Sequence, residues 1–154
     1  MKISDIMTKA AVTDQPDDTL AQAAQRMWDQ QTGSLLVLDG EDLVGIITER
    51  DILRSVAAGI DLGATRLSEA MTKDLVTVGP GTSLREAARV MTEKWIRHLP
   101  VVESGKLVGI VSQRDLAGVL AGALNEPEDL HRLIEASELV RERRLKRIEP
   151  GDLD

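Results

Sequence analysis

Two strings of the same pattern contain the side chains that are best suited to bind a ligand. The first runs from Gly45 to Asp51 and the second from Gly109 to Asp115. Each has a hydroxyl and a carboxylate three residues apart: Thr48 and Asp51, then Ser112 and Asp115. This spacing at a helix start is typical of a capping box. It also suits a nucleotide, because an ionised aspartate can accept from both ribose hydroxyls and free helix N–H groups suit a phosphate. The sequence leaves both interpretations open.

A basic pair precedes the second string and has no counterpart before the first. Arg97 and His98 stand where the other copy has Gly33 and Ser34. The arginine could grip a phosphate with two hydrogen bonds, and the histidine could donate near neutral pH. The alternative is a surface arginine and a hydrogen-bonded histidine at a strand edge. Any phosphate binding is therefore expected to be asymmetric.

Several kinds of chemistry lack the residues that they need. The chain has no cysteine, which excludes disulfides, thiolate metal sites and a cysteine nucleophile. Its two histidines, His98 and His131, have no metal-ligand spacing, and His131 is remote from both strings. We therefore expect no catalytic residue, no metal site and no enzymatic activity.

The charge and composition of the chain argue against two classes of partner, nucleic acid and membrane. The net charge of −7 disfavours nonspecific binding of nucleic acid, and two tryptophans as the only aromatic residues give no base-stacking platform. No apolar run approaches the roughly 20 residues that span a bilayer, and the first residues lack the pattern of a signal peptide. The expectation is a cytoplasmic protein without membrane or nucleic-acid partners.

The chain repeats itself. A shift of 64 residues aligns Ile3–Leu53 with Leu67–Ala117 without a gap. Each copy predicts the order β-α-β-β-α: an extended piece, a helix, a hairpin and a second helix. The predicted extended pieces are 12–13 and 76–78, the hairpin strands are 35–38, 43–47, 99–102 and 107–111, and the second helices are 51–57 and 115–121. Asp18 and Thr82 are the predicted N-caps of the first helices.

The stretch from Ile3 to Ala121 resembles a pair of CBS (cystathionine-β-synthase-type) domains, a Bateman module. The motifs that carry the resemblance are Ser4–Met7, Ser68–Met71, Leu99–Val102 and the two glycine-to-aspartate strings. The resemblance implies an α/β (α+β) fold in which two β-α-β-β-α units pack around a pseudo-twofold axis and leave two clefts. We expect the first repeat at 1–60, the second at 61–122 and a helical tail at 123–154.

The same resemblance implies an adenine nucleotide as ligand: AMP, ADP or ATP, with Mg²⁺ as a companion. S-adenosylmethionine or NAD is the alternative. Asp51 and Asp115 would then hold ribose, while Thr48 and Ser112 would contact ribose or phosphate. Four apolar residues would flank the adenine, and backbone groups near two methionines would read its polar edge. These six are Val12, Val76, Ile46, Ile110, Met7 and Met71.

The expected function is that of a stand-alone regulatory module, a homodimer that signals to an unidentified partner protein. The alternative is a dimeric scaffold with lapsed clefts. Trp95 extends the apolar stripe of its helix and is predicted to lie in the core, whereas Trp28 is predicted at a contact between subunits or repeats. The basic segment Arg141–Arg147 is either a helix end or a surface that faces an anion.

Overall fold

The computed structural model describes residues 1–123 of the 154. The predicted tail helix and the basic segment Arg141–Arg147 lie outside the described residues. The chain divides into two compact units, Met1–Leu116 and Ala117–Asp154, and the architecture below concerns the first. Within the described range, no helix is long and apolar enough to cross a membrane.

Five helices and two small sheets form the described chain, which confirms the predicted α+β class. A single 3-10 turn, Ile3–Asp5, opens it. The helices are α1 (Leu20–Asp29), α2 (Glu49–Ala57), α3 (Leu67–Ala70), α4 (Leu84–Lys94) and α5 (Gln113–Ala123). The strands are β1 (Thr13–Asp14), β2 (Ser34–Asp39), β3 (Asp42–Thr48), β4 (His98–Glu103) and β5 (Lys106–Ser112). Each predicted hairpin forms and extends one residue further at both ends of each strand.

The first strand of the repeat forms in only one copy. In the first copy β1 runs parallel to β2, beside the antiparallel hairpin of β2 and β3. The predicted strand at 76–78 is reduced to one bridge between Val78 and Val101. Leu36 donates its backbone N–H to the carbonyl of Val12 over 3.0 Å. Pro100 takes the place of Leu36 in the second copy and has no N–H to donate, which removes that bond from the ladder.

The predicted N-caps of the first helices are wrong by one residue. Thr19 caps α1, because its hydroxyl accepts the backbone N–H of Gln22 at 3.2 Å. Ser83 caps α4 in the same way. Asp18 instead accepts the backbone N–H of Gln15 at 2.9 Å and so closes the preceding turn. The second helices also begin two residues earlier than predicted, directly after the hydroxyl of each string.

The opening segments of the two copies exchange places. Ile3 is buried in a core with Met91 and Leu99 of the second copy. Leu67, which opens the second copy, is buried in the core of the first. Backbone hydrogen bonds of 2.9–3.1 Å hold each opening segment to the other copy, between Thr8 and Ile110 and between Thr72 and Ile46. Each copy therefore completes the hydrophobic core of the other, and the boundary expected at residue 60 stays a prediction from the sequence.

Candidate functional site

Both glycine-to-aspartate strings form the capping box that their spacing predicts. The backbone N–H and the hydroxyl of Thr48 both donate to Oδ2 of Asp51, at 2.9 and 3.0 Å. Ser112 does the same to Oδ2 of Asp115, at 2.7 Å for each bond. One carboxylate oxygen of each aspartate is thus used to hold the start of a helix. Only the second oxygen, Oδ1, can face a ligand without losing the cap.

That second oxygen differs between the copies. In Asp51, which is buried, Oδ1 accepts from the guanidinium of Arg54 in the next turn of α2. Asp115 is partly exposed, and none of the described residues donates to its Oδ1. A carboxylate oxygen without a protein donor is an acceptor for a ligand hydroxyl. The two aspartates are therefore equivalent as helix caps but differ in the acceptor oxygen that they leave open.

Asp115 lies in a cleft of about 1000 Å³, called the main cleft here. Of the residues singled out from the sequence, the main cleft gathers six: Val12, Arg97, His98, Ile110, Ser112 and Asp115. They come from β4 and the residue before it, from β5, from the start of α5 and from the segment before β1, so the cleft depends on both copies. Apolar, hydroxyl, carboxylate and guanidinium groups thus share one concave surface, as in small-molecule sites.

The other six predicted residues do not line the main cleft: Met7, Ile46, Thr48, Asp51, Met71 and Val76. Met7 packs on Gly109, and Met71 packs on Gly45 in the equivalent place. A Cβ atom on Gly109 would lie 2.9 Å from the sulfur of Met7 and from the carbonyl oxygen of Thr8. The glycine of each string is therefore required for the close approach of the exchanged segment. Ile46 is buried, and Val76 packs against the second core.

The charged groups of the main cleft are partly matched already. Arg97 forms an ion pair of 3.5 Å with Glu49, the first residue of α2. Burial lowers the pKa of His98, and the neighbouring Arg97 lowers it further, while Glu49 and Asp115 oppose the shift. The net lowering of this pKa favours the neutral imidazole of His98. Among the described residues, no cluster of three or more His, Cys, Asp or Glu could hold a metal ion.

Glu49 was not singled out from the sequence, although the alignment of the two copies shows a difference in charge at this position. It matches Gln113 of the other copy, just as Arg97 matches Gly33. These are two positions near the strings at which the copies differ in charge.

Trp95 departs from its sequence-based expectation, whereas the contact between subunits or repeats expected for Trp28 stays a prediction. Trp95 ends α4 in the left-handed conformation, with φ 54°, and remains 38% exposed, so its predicted core position is wrong. As the residue after the last helical turn, it no longer follows the apolar stripe of α4. Trp28 is 73% exposed and lines the main cleft from α1.

Comparison with known proteins places this arrangement in a family. The CBS domain profile matches residues 3–58 and 67–122. The chain is 40% identical over 116 residues to the CBS domain-containing protein YhcV of Bacillus subtilis, covering 75% of this chain and 82% of YhcV. It is also similar to the solved structure of a CBS-domain protein from Burkholderia ambifaria. That similarity has a TM-score of 0.78 and 34% identity over 82% of this chain and 98% of the other.

Similar structures include a CBS domain pair that was solved with small-molecule ligands. The CBS domain pair of MJ0100, in complex with 5′-methylthioadenosine and S-adenosyl-L-methionine, superposes with a TM-score of 0.74. The two sequences are 26% identical, and the match covers 80% of this chain and 98% of that one. The repeat, the exchanged cores and the sequence match agree, and the chain belongs to the CBS domain family, with two copies of the domain in tandem.

Proposed function

We propose that this protein is a regulatory module that binds an adenine nucleotide, AMP, ADP or ATP, in the main cleft and signals to a partner protein. The observation that carries the proposal is the carboxylate of Asp115, whose Oδ1 has no donor among the described residues and which shares one cleft with Arg97 and Ser112. A carboxylate acceptor beside a guanidinium suits a ribose that carries a phosphate. The two ligands of the MJ0100 pair both contain adenosine, which supports the adenine part.

Each lining residue receives a role in this proposal. Oδ1 of Asp115 accepts hydroxyls of the ribose, while its Oδ2 stays in the capping box. Val12 and Ile110 provide the apolar surface for the adenine ring. Arg97 and His98 face the phosphate, and His98 enters as a neutral donor.

We further propose one nucleotide per chain. Both oxygens of Asp51 are occupied, by Thr48 and by Arg54, so a ribose there would have to displace an ion pair. Asp115 requires no such displacement. The finer roles expected for Thr48, Asp51, Ile46, Val76, Met7 and Met71 in a second cleft remain predictions.

Ligand-induced stabilisation tests the proposal. A ligand at 100 times its Kd stabilises the folded form by about 2.7 kcal/mol, which for a chain of this size raises the Tm by roughly 5–10 °C. The panel consists of AMP, ADP, ATP, S-adenosylmethionine and NAD, each with and without Mg²⁺, with GMP and CMP as controls. Adenine nucleotides should shift the Tm more than the controls. No shift from any of them at millimolar concentration contradicts the proposal, and equal shifts from all nucleotides would mean that only phosphate is recognised.

A second candidate function is a scaffold whose clefts bind nothing. The observation that favours it is that both aspartates have a structural role as helix caps. A scaffold would need these residues for folding alone. An empty ligand panel together with a dimer in solution would select this alternative.

We also propose a homodimer that uses the helices α1 and α2. Three large apolar side chains on these helices are exposed, and all three also line the rim of the main cleft: Trp28, Leu53 and Val56. Clustered exposed apolar residues commonly mark a protein contact.

A further inference from the structure

An ion pair joins the two copies at the main cleft. Glu49 begins α2 in the first copy, and Arg97 directly precedes β4 in the second. Their side chains approach to 3.5 Å, and both are about half exposed, at 62% and 48%. The carboxylate of Glu49 also lies over Gly33, where a Cβ atom would come within 3.3 Å of its Cδ. Glu49 therefore lies close both to Arg97 of the second copy and to Gly33 of the first.

Glu49 and Arg97 each have an uncharged equivalent in the other copy, Gln113 and Gly33. The backbone N–H of Glu49 donates to the carbonyl of Gly33 at 3.1 Å, and that of Gln113 donates to the carbonyl of Arg97 at 2.9 Å. These two bonds are equivalent under the 64-residue shift. All four residues line the main cleft. Because Gly33 and Gln113 are uncharged, the Glu49–Arg97 pair has no symmetric twin.

We propose that Glu49 sets the phosphate selectivity of the main cleft by competing with the ligand phosphate for Arg97. This inference rests on the proposed function and deepens it. Carboxylate and phosphate are both natural partners of a guanidinium. A phosphate that approaches Arg97 must displace Glu49 or lie beside its negative charge, and both cost free energy. Adenosine carries no phosphate and meets neither cost.

The carboxylate of Asp115 does not depend on Glu49 for its position. Asp115 is held by its capping box with Ser112, and Arg114 precedes it in the same helix. A change at Glu49 therefore alters the partner of Arg97 and leaves the ribose-facing oxygen in place. The expected signature is a change in the ratio of AMP to adenosine affinity, and not a change in both.

Calorimetric titration of AMP and adenosine against the full chain tests this inference. Glu49→Gln keeps the size of the side chain and removes its charge. An exposed ion pair is worth up to about 1 kcal/mol, so the variant should bind AMP about two- to fivefold tighter and adenosine unchanged. The matched control is Glu41→Gln, because Glu41 pairs with Lys106 of the other copy at 3.1 Å but does not line the main cleft. It should leave both affinities unchanged.

A second variant reverses the direction. Gln113→Glu adds a carboxylate at the cleft next to Arg97 and should weaken AMP about two- to fivefold without affecting adenosine. The inference is overturned if both variants leave the AMP-to-adenosine ratio unchanged, or if Glu49→Gln changes both ligands equally. Wild-type protein that binds both ligands, with an unchanged ratio in the variants, retains the proposed function and loses only this inference. Wild-type protein that binds neither ligand overturns both.

Discussion

At the scale of single residues, the two aspartates of the strings have the same local role and different remaining capacity. Each uses Oδ2 to accept from the hydroxyl residue three positions earlier. The difference arises one turn later, since the first copy has Arg54 where the second has Gly118. Arg54 neutralises Asp51, whereas glycine has no side chain to offer Asp115. This difference between the copies is thus one reason why Oδ1 is occupied in Asp51 and open in Asp115.

Removing each carboxylate should separate binding from stability. Asp115→Ala should weaken AMP about ten- to a hundredfold, because a hydrogen bond to a charged acceptor is worth roughly 1.5–3 kcal/mol. Asp51→Ala should leave AMP affinity unchanged and lower the free energy of unfolding by about 1 kcal/mol through the lost cap. Calorimetry and urea unfolding on both variants provide the measurement. An equal loss of AMP affinity in Asp51→Ala would show that the second cleft also binds.

At the scale of elements, β1 carries a buried charge that its counterpart lacks. Asp14 of β1 pairs with Arg26 of α1 through Oδ1, while its buried Oδ2 has no partner among the described residues. Burial raises the pKa of Asp14, the nearby Asp18 adds to this, and Arg26 opposes it. Val78 takes the equivalent position in the second copy. The buried charge of Asp14 thus lowers the stability of the folded protein.

Replacing Asp14 by the residue of the other copy should stabilise the protein. Buried ion pairs are often no better than apolar packing, and Arg26 is half exposed and can turn to water. We expect Asp14→Val to raise the free energy of unfolding by roughly 1 kcal/mol at pH 7.

The gain should depend on pH. An unfolded aspartate has a pKa of about 3.9. The folded pKa of Asp14 is higher, so the native state binds the proton more tightly and wild-type stability falls as pH rises through that pKa. The advantage of Asp14→Val should therefore be smaller at pH 3.5 than at pH 7 in urea unfolding. Asp17→Asn, at an exposed ion pair with Arg66, is the control. A pH-independent difference would contradict this explanation.

At the scale of the first compact unit, the two copies are joined by their exchanged opening segments. Gly109 lies under Met7 and Thr8, and Gly45 lies under Met71. These contacts let each opening segment reach the core of the other copy. The wall of the main cleft that contains Thr8 and Val12 follows directly from the exchanged segment. The exchange therefore builds both the core and the site.

A side chain at Gly109 should destabilise the packing of the opening segment against the second copy. Gly109→Ala places a Cβ atom 2.9 Å from the carbonyl oxygen of Thr8, and overpacking of this kind costs about 1–3 kcal/mol. Gly79→Ala is the matched control, because nothing lies within 4 Å of its added Cβ atom. Chemical denaturation should show a clear loss for the first variant and a change within about 0.5 kcal/mol for the second. Equal stability of the two variants would argue against a tight contact at Gly109.

Assembly is tested at the exposed apolar residues of α1 and α2. If these helices form the proposed dimer contact, Leu53→Glu should convert the full chain to a monomer, because it buries a charge without a partner. Ala58→Glu makes the same change in charge at the end of α2 and should leave the dimer intact. Light scattering gives the mass. A monomeric wild-type chain would overturn the homodimer, and a dimeric Leu53→Glu would move the contact elsewhere.

The sequence by itself determined the repeat, the hairpins, most of the helices and both capping boxes. These features depend on local periodicity and on hydrogen bonds between residues three or four apart, which a single stretch of sequence records. The predicted N-cap positions were wrong by only one residue, because the neighbours Asp18 and Thr19 are both good capping residues.

Only the tertiary structure decided which residues share a site. The exchange of Ile3 and Leu67 between cores depends on packing between segments far apart in the chain, which sequence periodicity does not encode. The pairing of Glu49 with Arg97 joins residues of different copies in the same way. The difference between Asp51 and Asp115 could have been predicted in part, since the alignment of the copies places Arg54 opposite Gly118. The burial of Asp51 and the partial exposure of Asp115 could not be predicted, because burial is a property of the folded surroundings.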